Sequence, residues 1–402
     1  MAMSGRVKFN VIIPTRERAD TLYHCLRTVI AQEYDNLDII VSDNFSQDST
    51  REVVASLSDP RLKYINTGKR ISMSHNWEFA LNHVTDGWVS FLGDDDGMLP
   101  NSLIFLSECI NKYPIEAITP KFGRYLWPNF CGSNSSEMTV PLGNGIQIKS
   151  CTEMLATVMR GRANYYELPW LYLGGFAKVE AINRAKSEGG KFFLSCTPDV
   201  YSAIALSSVI EQYLLIDKPI AINGVSKHST GASYTTSIHG APIKKFLSEA
   251  NIPYHPSLVL DMAKSIPMLV YESYLQAAHL HKNKLGIKIQ DQLVIALAAA
   301  SEENYIPLAT DCKKTCEINE IDFHAVQKKG KKLRFISRTR SLIQRIYKLV
   351  IKNDFSINID ASFIKDINAA AVVSYCVRQL SENNLLKNIP FVGRLLFLMR
   401  YK

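Results

Sequence analysis

Short apolar segments alternate with helical segments through the first 120 residues, and this alternation constrains the fold more than any other feature of the chain. The apolar runs are short enough for strands, while the apolar residues between them recur every three or four positions, as on one face of a helix. This order is typical of a mainly parallel sheet covered by helices on both faces, so we predict an α/β fold. The predicted strands begin at Phe9, Leu37, Arg61, Trp88 and Ile115.

Polar residues follow these predicted strands, at the edge where ligands bind in parallel sheets. Thr15 follows the first strand, Asp43 ends the second, and three consecutive aspartates at 94–96 follow the fourth. The chain has no Gly-x-Gly-x-x-Gly after the first strand and no Gly-x-x-x-x-Gly-Lys-Ser/Thr. The usual fingerprints of dinucleotide oxidoreductases and P-loop NTPases are therefore missing from the sequence.

The aspartate triplet predicts a cation site. Three adjacent carboxylates after a buried strand repel one another, and the cluster is costly unless cations or hydrogen bonds compensate it. Mg²⁺ or Mn²⁺, held by one or two carboxylates and substrate phosphates, is the simplest compensation. The alternative is a solvated acidic turn before the helix predicted to begin at Asn101.

Three segments, in this order and spacing, resemble family 2 of the glycosyltransferases, which has the GT-A fold. They are residues Phe9–Arg16, Asp38–Thr50 and Gly87–Pro100, and the resemblance extends over about residues 7 to 235. It implies an inverting transfer from a sugar nucleotide, usually a UDP-sugar, to an acceptor hydroxyl, assisted by Mn²⁺ or Mg²⁺.

The resemblance assigns five residues outside the triplet to the donor nucleotide. Thr15 and Glu17 match the loop that borders the nucleotide, and Asp43 matches the family aspartate that contacts the base or ribose. Arg70 and Asn76 fall between the third strand and the triplet, where the family places polar residues near the nucleotide. For these two residues, a helix N-terminus with surface charge is the alternative.

The resemblance also implies roles in the triplet and downstream. Asp94 and Asp95 would face the nucleotide ribose and the donor sugar, and Asp96 resembles the metal-ligating position. His228, in a Ser/Thr-rich loop similar to the family's closing loop, would complete the metal shell, or would simply be an exposed loop histidine. Asp199 resembles the acceptor-side acid that serves as general base, and the start of a helix also suits it as an N-cap.

Two stretches near the predicted acceptor side are less specific. Residues 129–145 are rich in Gly, Ser and Asn with little periodicity, so we predict a long loop near the mouth of the site. Tyr165, Tyr166, Trp170 and Tyr172 could stack on sugar faces or pack against the sheet.

Beyond about Ser237 the pattern becomes predominantly helical. We therefore predict a GT-A catalytic domain over residues 1–236 and a helical C-terminal domain over residues 237–402. The net charge is +8, and residues 328–352 contain ten Lys or Arg and no acid, with apolar residues at helical spacing. A basic amphipathic helix of this kind suits an anionic membrane surface, although a solvated helix packed on its neighbour is the alternative.

We predict a metal-dependent inverting glycosyltransferase that uses a nucleotide-sugar donor and a glycan or lipid-linked acceptor, in surface polysaccharide or other glycan synthesis. A sugar nucleotidyltransferase is disfavoured because the loop at 15–18 lacks glycine, and a non-catalytic glycan-binding or scaffold protein is the other alternative. The sequence shows no apolar run of membrane-spanning length and no signal peptide, so we expect a cytoplasmic protein, peripheral on the inner face of the cell membrane. We expect no nucleic-acid partner, and the C-terminal region could support homo-oligomerisation.

Overall fold

The computed structural model describes residues 7–128, 135–229, 251–260, 265–350, 354–360 and 364–383. Within these ranges eleven strands form one sheet, with helices packed around it. The strands are β1 (Phe9–Thr15), β2 (Leu37–Asp43), β3 (Leu62–Asn66), β4 (Trp88–Phe91), β5 (Gly97–Met98), β6 (Ala117–Leu126), β7 (Ser135–Pro141), β8 (Ile146–Ser150), β9 (Phe176–Lys178), β10 (Gln212–Val225) and β11 (Asp354–Asp360). The helices are α1 (Ala19–Ile30), α2 (Thr50–Ala55), α3 (Met73–Leu81), α4 (Ser102–Lys112), α5 (Cys151–Met159), α6 (Val179–Arg184), α7 (Pro198–Val209), α8 (Ile266–Gln276), α9 (Ala278–His281), α10 (Ile289–Ala299), α11 (Glu302–Ile318), α12 (Phe323–Val350) and α13 (Ile367–Glu382).

The N-terminal half of the sheet is parallel, in the order β3-β2-β1-β4. Its central strand β1 is apolar without alternation, and Val11, Ile12 and Ile13 are all buried because helices cover both faces. The apolar stripe predicted for the first helix lies on the buried side of α1, where Leu22 and Val29 are inaccessible to solvent. The predicted α/β class, with a mostly helical C-terminal part, is confirmed.

The second half of the sheet is mixed. The short strand β9 lies between β4 and β6 and is antiparallel to both, while β10 is parallel to β6 and antiparallel to β5 and β8. A turn at Leu173 and Gly174, both with positive φ, reverses the chain just before β9. Only glycine suits the second position, since a Cβ on Gly174 would lie 2.7 Å from Ile220.

The long loop predicted over residues 129–145 contains a strand. Residues 129–134 lie outside the described ranges, but β7 follows them and pairs with β6 and with β11 from the C-terminal region. A strand whose partner is more than 200 residues away leaves little local signal in the sequence.

The C-terminal region packs on the N-terminal region. β11 extends the sheet, α13 packs against α1 and β5, and α8 packs against α7. One cluster of buried apolar residues includes Phe9 of β1 and Val326 of α12. The predicted domain boundary at residues 236–237 falls outside the described ranges, so the two-domain division stays a prediction. No helix in the described ranges combines the length and hydropathy needed to cross a bilayer.

Candidate active site

The aspartate triplet forms the loop between β4 and β5, at the carboxyl edge of the parallel strands. All three side chains are buried, with at most 5% of each residue exposed. The solvated acidic turn considered from the sequence is therefore not what the chain forms. Each carboxylate instead has its own set of partners.

Asp96 accepts four hydrogen bonds. Its Oδ1 accepts from Asn223 Nδ2 at 3.0 Å and from the Gly224 amide at 2.8 Å, while its Oδ2 accepts from the Tyr172 hydroxyl at 2.7 Å and from the Gly93 amide at 3.0 Å. Burial, followed by the charge of the adjacent carboxylate, raises the pKa of Asp96 to about 8. With its oxygens occupied by protein donors, Asp96 anchors the loop to β10 and to Tyr172.

Asp95 holds the segment that follows β10. Its Oδ2 accepts from the hydroxyls of Ser226 at 2.6 Å and Ser229 at 2.5 Å, and its carbonyl accepts from Trp127 Nε1 at 2.9 Å. A Cβ on Gly224 would lie 1.7 Å from that carbonyl oxygen, so only glycine allows this approach of the two backbones. Asp95 thereby ties the segment at 226–229 to the triplet.

Asp94 pairs with Arg18, a residue that the sequence did not single out. Arg18 Nη1 lies 2.8 Å from Asp94 Oδ1, and Nη2 donates to the carbonyl of His228 at 2.5 Å. Burial would lower the pKa of Arg18, but the carboxylates of Asp94 and Asp95 outweigh it and raise that pKa. A basic residue in the loop after β1 was the available signal, because three buried acids require a counter-charge.

The second oxygen of Asp94 has no hydrogen-bond partner among the described residues, although it is buried. Burial raises the pKa of Asp94, and Arg18 opposes that rise. Thr15 lies close enough to favour the carboxylate, but its Oγ1 does not reach hydrogen-bond geometry. A buried carboxylate oxygen without a donor is a position where a cation or a ligand donor is expected.

Two of the predicted nucleotide residues form an ion pair at the rim of the site. Glu17 pairs with Arg70 and also accepts from the backbone amides of Gln47 and Asp48 at 3.2 and 3.1 Å. Glu17 has a φ of 54°, which turns its side chain into this position. The pair joins the loop after β1 to the segment after β3.

Asp43 and Asn76 are both buried, but they differ in their partners. Asp43 ends β2, and its Oδ2 accepts from the Tyr64 hydroxyl at 2.6 Å and from Asn66 Nδ2 at 2.9 Å. Asn76 exchanges two hydrogen bonds with Ser42, through which α3 is held against β2. The side-chain amide of Asn76 is therefore hydrogen-bonded to Ser42 below the carboxyl edge of the sheet, whereas Asp43 lies at that edge.

Asp199 lies in the first turn of α7, two residues after the N-cap residue Thr197, so it is not the N-cap itself. The hydroxyl of Tyr165 donates to Asp199 Oδ2 at 3.1 Å. Burial raises the pKa of Asp199. Tyr172, which binds Asp96, packs edge-to-face on Trp170, and Trp170 packs edge-to-face on Tyr165, so these aromatic rings join the triplet to the predicted base.

The other two aromatic residues of this region have different surroundings. Trp170 is buried against Tyr172 in an edge-to-face contact with ring centroids 5.5 Å apart. Tyr166 remains partly exposed. Packing thus accounts for Trp170, and hydrogen bonds to acids account for Tyr165 and Tyr172.

The His228 side chain pairs with Asp20 rather than with the triplet. His228 Nε2 lies 3.4 Å from Asp20 Oδ2, and Lys227 Nζ lies 3.5 Å from the same oxygen. Among the described residues, no three His, Cys, Asp or Glu side chains are grouped as a ready-made metal site. The metal roles predicted for Asp96 and His228 stay predictions, and each would require a change of hydrogen-bond partners.

The Arg18–Asp94 pair predicts a stability test. Arg18→Met should lower the free energy of unfolding by about 3 kcal/mol, because Asp94 is left buried without its counter-charge. Arg70→Met is the control, since it removes an arginine from an exposed pair and should cost less than about 1 kcal/mol. Adding Asp94→Asn to Arg18→Met should restore more than half of the loss in urea denaturation. Equal losses for the two arginine variants would contradict this description.

Comparisons with known proteins show which family part of the chain resembles. Residues 10–160 match the model of glycosyl transferase family 2. GalNAc(5)-diNAcBac-PP-undecaprenol beta-1,3-glucosyltransferase of Campylobacter jejuni is 34% identical over 108 residues, which cover 26% of this chain and 35% of that protein. UDP-Glc:alpha-D-GlcNAc-diphosphoundecaprenol beta-1,3-glucosyltransferase WfaP of Escherichia coli is 21% identical over 165 residues, or 41% and 64% of the two chains.

The chain thus spans less than two thirds of the length of each of these two relatives. Among solved structures, S. aureus TarS 1–349 in complex with UDP-GlcNAc is 12% identical, with a TM-score of 0.46 over 83% of this chain and 92% of that one. The family match begins in β1 and runs through the triplet to the end of α5. The region of residues 10–160 is therefore similar to glycosyl transferase family 2.

Proposed function

We propose that this chain transfers a sugar from a nucleotide-diphosphate donor, a UDP-sugar, to a hydroxyl of a lipid-linked glycan acceptor, with inversion at the anomeric carbon. The observation that carries the proposal is the buried aspartate triplet, which lies within the region that matches family 2 and is joined to Asp199 through the packed rings of Tyr172, Trp170 and Tyr165. The names of two relatives describe glucosyl transfer to undecaprenyl-diphosphate saccharides, which supports a lipid-linked acceptor and a role in surface polysaccharide synthesis.

The nucleotide would bind along the edge formed by β1, β2 and β3. Asp43 is held in place there by three donors, the Tyr64 hydroxyl, Asn66 Nδ2 and the Ser46 amide, which leaves its carboxylate fixed for contact with a ribose or base. Thr15 and Glu17 border the same edge, and Arg70 would leave Glu17 to meet the diphosphate. Asn76 supports this edge from beneath through Ser42.

A divalent ion, Mn²⁺ or Mg²⁺, fits the triplet only together with the diphosphate. Asp94 offers a buried oxygen without a donor, and one or two carboxylates plus substrate phosphates is how such ions are held in nucleotide sites. Asp94 and Asp95 would hold the ion most directly, while Asp96 and His228 could join only by releasing their present partners. When bound, the ion would offset the negative charge that develops on the departing diphosphate.

Asp199 is the proposed general base. As the acceptor oxygen forms its bond to the anomeric carbon, the bond from that carbon to the diphosphate breaks, and the hydroxyl proton passes to the Asp199 carboxylate. Burial raises the pKa of Asp199, which makes it a better proton acceptor than an exposed aspartate. Tyr165 holds one oxygen of the carboxylate and so orients the other.

A transfer assay tests the proposed function. The purified chain is incubated with Mn²⁺, labelled nucleotide sugars and a short polyprenyl-diphosphate saccharide, and the lipid product is separated and counted. We expect label in the lipid product, and we expect Asp94→Asn to abolish it. Asp86→Asn, a change at an exposed aspartate, is the matched control and should retain activity. Nucleotide-sugar binding without transfer to any acceptor would favour the non-catalytic alternative.

Asp199→Asn tests whether Asp199 acts as the general base or only stabilises the fold. Loss of proton abstraction should lower kcat by roughly 10² or more, while donor affinity and the melting temperature stay close to wild type. Glu188→Gln, at an exposed site, is the control for loss of one carboxylate. Turnover within a few-fold of wild type would refute the base assignment. Retention of configuration in the product, measured by NMR, would do so independently.

Tyr165→Phe should shift the pH profile. The hydrogen bond from Tyr165 lowers the pKa of Asp199, so its removal should raise that pKa. Because the base acts in its ionised form, activity is lost as the pH falls through this pKa. The acid limb of kcat/KM should therefore move to higher pH. Tyr166→Phe removes a neighbouring hydroxyl that has no such hydrogen bond to Asp199, and it should leave the limb in place. An unshifted limb in Tyr165→Phe would contradict the assignment.

A further inference from the structure

The helix α12 presents a surface to solvent that is both cationic and apolar. Its members are exposed, with Phe335 76% and Ile336 51% accessible. We call this set the basic-apolar face. It consists of Lys328, Lys329, Lys331, Lys332, Phe335 and Ile336.

The packing of α12 fixes which side faces outward. Val326 is buried, and a Cβ on Gly330 would lie 3.1 Å from the Leu297 side chain of α10, so the helix lies close to α10 along this line. At 3.6 residues per turn, Lys328, Lys331, Lys332 and Phe335 lie on the side away from Val326 and Gly330, and Lys329 and Ile336 lie on the flank next to them. These side chains are therefore exposed because the opposite side of α12 packs against α10.

A second element adds to the same region. The guanidinium of Arg334 lies 5.1 Å from the ring centroid of Tyr305 in α11, which places the first turns of α11 beside this part of α12. Ile306, the residue after Tyr305, is 76% exposed. Large apolar side chains are thus exposed on α11 as well as on α12.

The combination of positive charge and exposed apolar side chains indicates which kind of partner fits this face. No acid occurs between residues 323 and 352, so the face attracts anions over its whole length. A polyanion such as RNA would satisfy the lysines but would leave the exposed Phe335 and Ile336 in water. An anionic bilayer satisfies both, because lipid phosphates meet the lysines while apolar side chains enter the boundary between headgroups and acyl chains.

We propose that the basic-apolar face docks this protein onto an anionic lipid bilayer, with Phe335 and Ile336 inserted below the headgroups. Docking would bring the chain to the surface where a lipid-linked acceptor resides. It does not depend on the proposed transfer, since vesicle binding is measured without donor or acceptor.

The first experiment is co-sedimentation of the full chain with lipid vesicles. We expect binding to vesicles of phosphatidylcholine mixed with phosphatidylglycerol, weakening with salt, and little binding to phosphatidylcholine alone. Changing the four lysines of the face together to Gln should lower the partition coefficient by about tenfold or more. The control changes four other exposed lysines to Gln, so that both variants carry the same net charge. The control positions are Lys112, Lys191, Lys284 and Lys313.

The second experiment tests insertion. Ile336→Trp should give fluorescence, above that of the parent chain, that shifts to the blue and is quenched by brominated lipids in anionic vesicles. Phe335→Ser with Ile336→Ser should leave only binding that high salt removes. Circular dichroism melts of all variants should match the parent, because the changed residues are exposed.

Three results would overturn the proposal. One is an equal loss of vesicle binding in the control set of lysines. Another is an unquenched tryptophan at position 336. The third is retention by heparin or RNA without any binding to anionic vesicles.

Discussion

Three adjacent carboxylates buried at the end of β4 are the constraint on which the rest of the site depends. Each is compensated from a different part of the chain: Asp96 by β10 and Tyr172, Asp95 by two serines after β10, and Asp94 by Arg18. The loops after β1 and β10 are therefore both tied to the triplet. Removing any one of these partners would leave a buried carboxylate uncompensated beside two other carboxylates, which repel it.

Hydrogen bonds and the Arg18 ion pair compensate most of the negative charge of the triplet, but not all of it. One buried oxygen of Asp94 lacks a donor, so the site can accept one more positive charge without rearranging Asp96. A metal ion that arrives with a diphosphate meets that requirement. The rings of Tyr172, Trp170 and Tyr165 then connect Asp96 to Asp199, the proposed base. The proposed donor site and the proposed base would thus be held in a fixed relation, as a single displacement requires.

Local pattern predicted the first four strands, the first helix and the place of the triplet directly after β4, because neighbouring residues determine strand and helix periodicity. Non-local pairing was not predictable in this way. The strand β7 was hidden in a stretch of small polar residues, and its partner β11 lies far along the chain. Arg18 was missed because its partner Asp94 is 76 positions away, and the His228 side chain turned out to face Asp20. The sequence shows which residues are charged, but only the folded structure shows which of them form pairs.

The most direct test of the donor site is a titration with Mn²⁺, in which electron paramagnetic resonance measures the free ion. UDP and GDP are added in parallel, with wild type, Asp94→Asn and Asp86→Asn compared. We expect weak binding of Mn²⁺ alone, much tighter binding of Mn²⁺ with one of the nucleoside diphosphates, and loss of that gain in Asp94→Asn only. Mn²⁺ binding that is indifferent to both nucleotides, or unchanged in Asp94→Asn, would contradict the assignment of the triplet as the donor site.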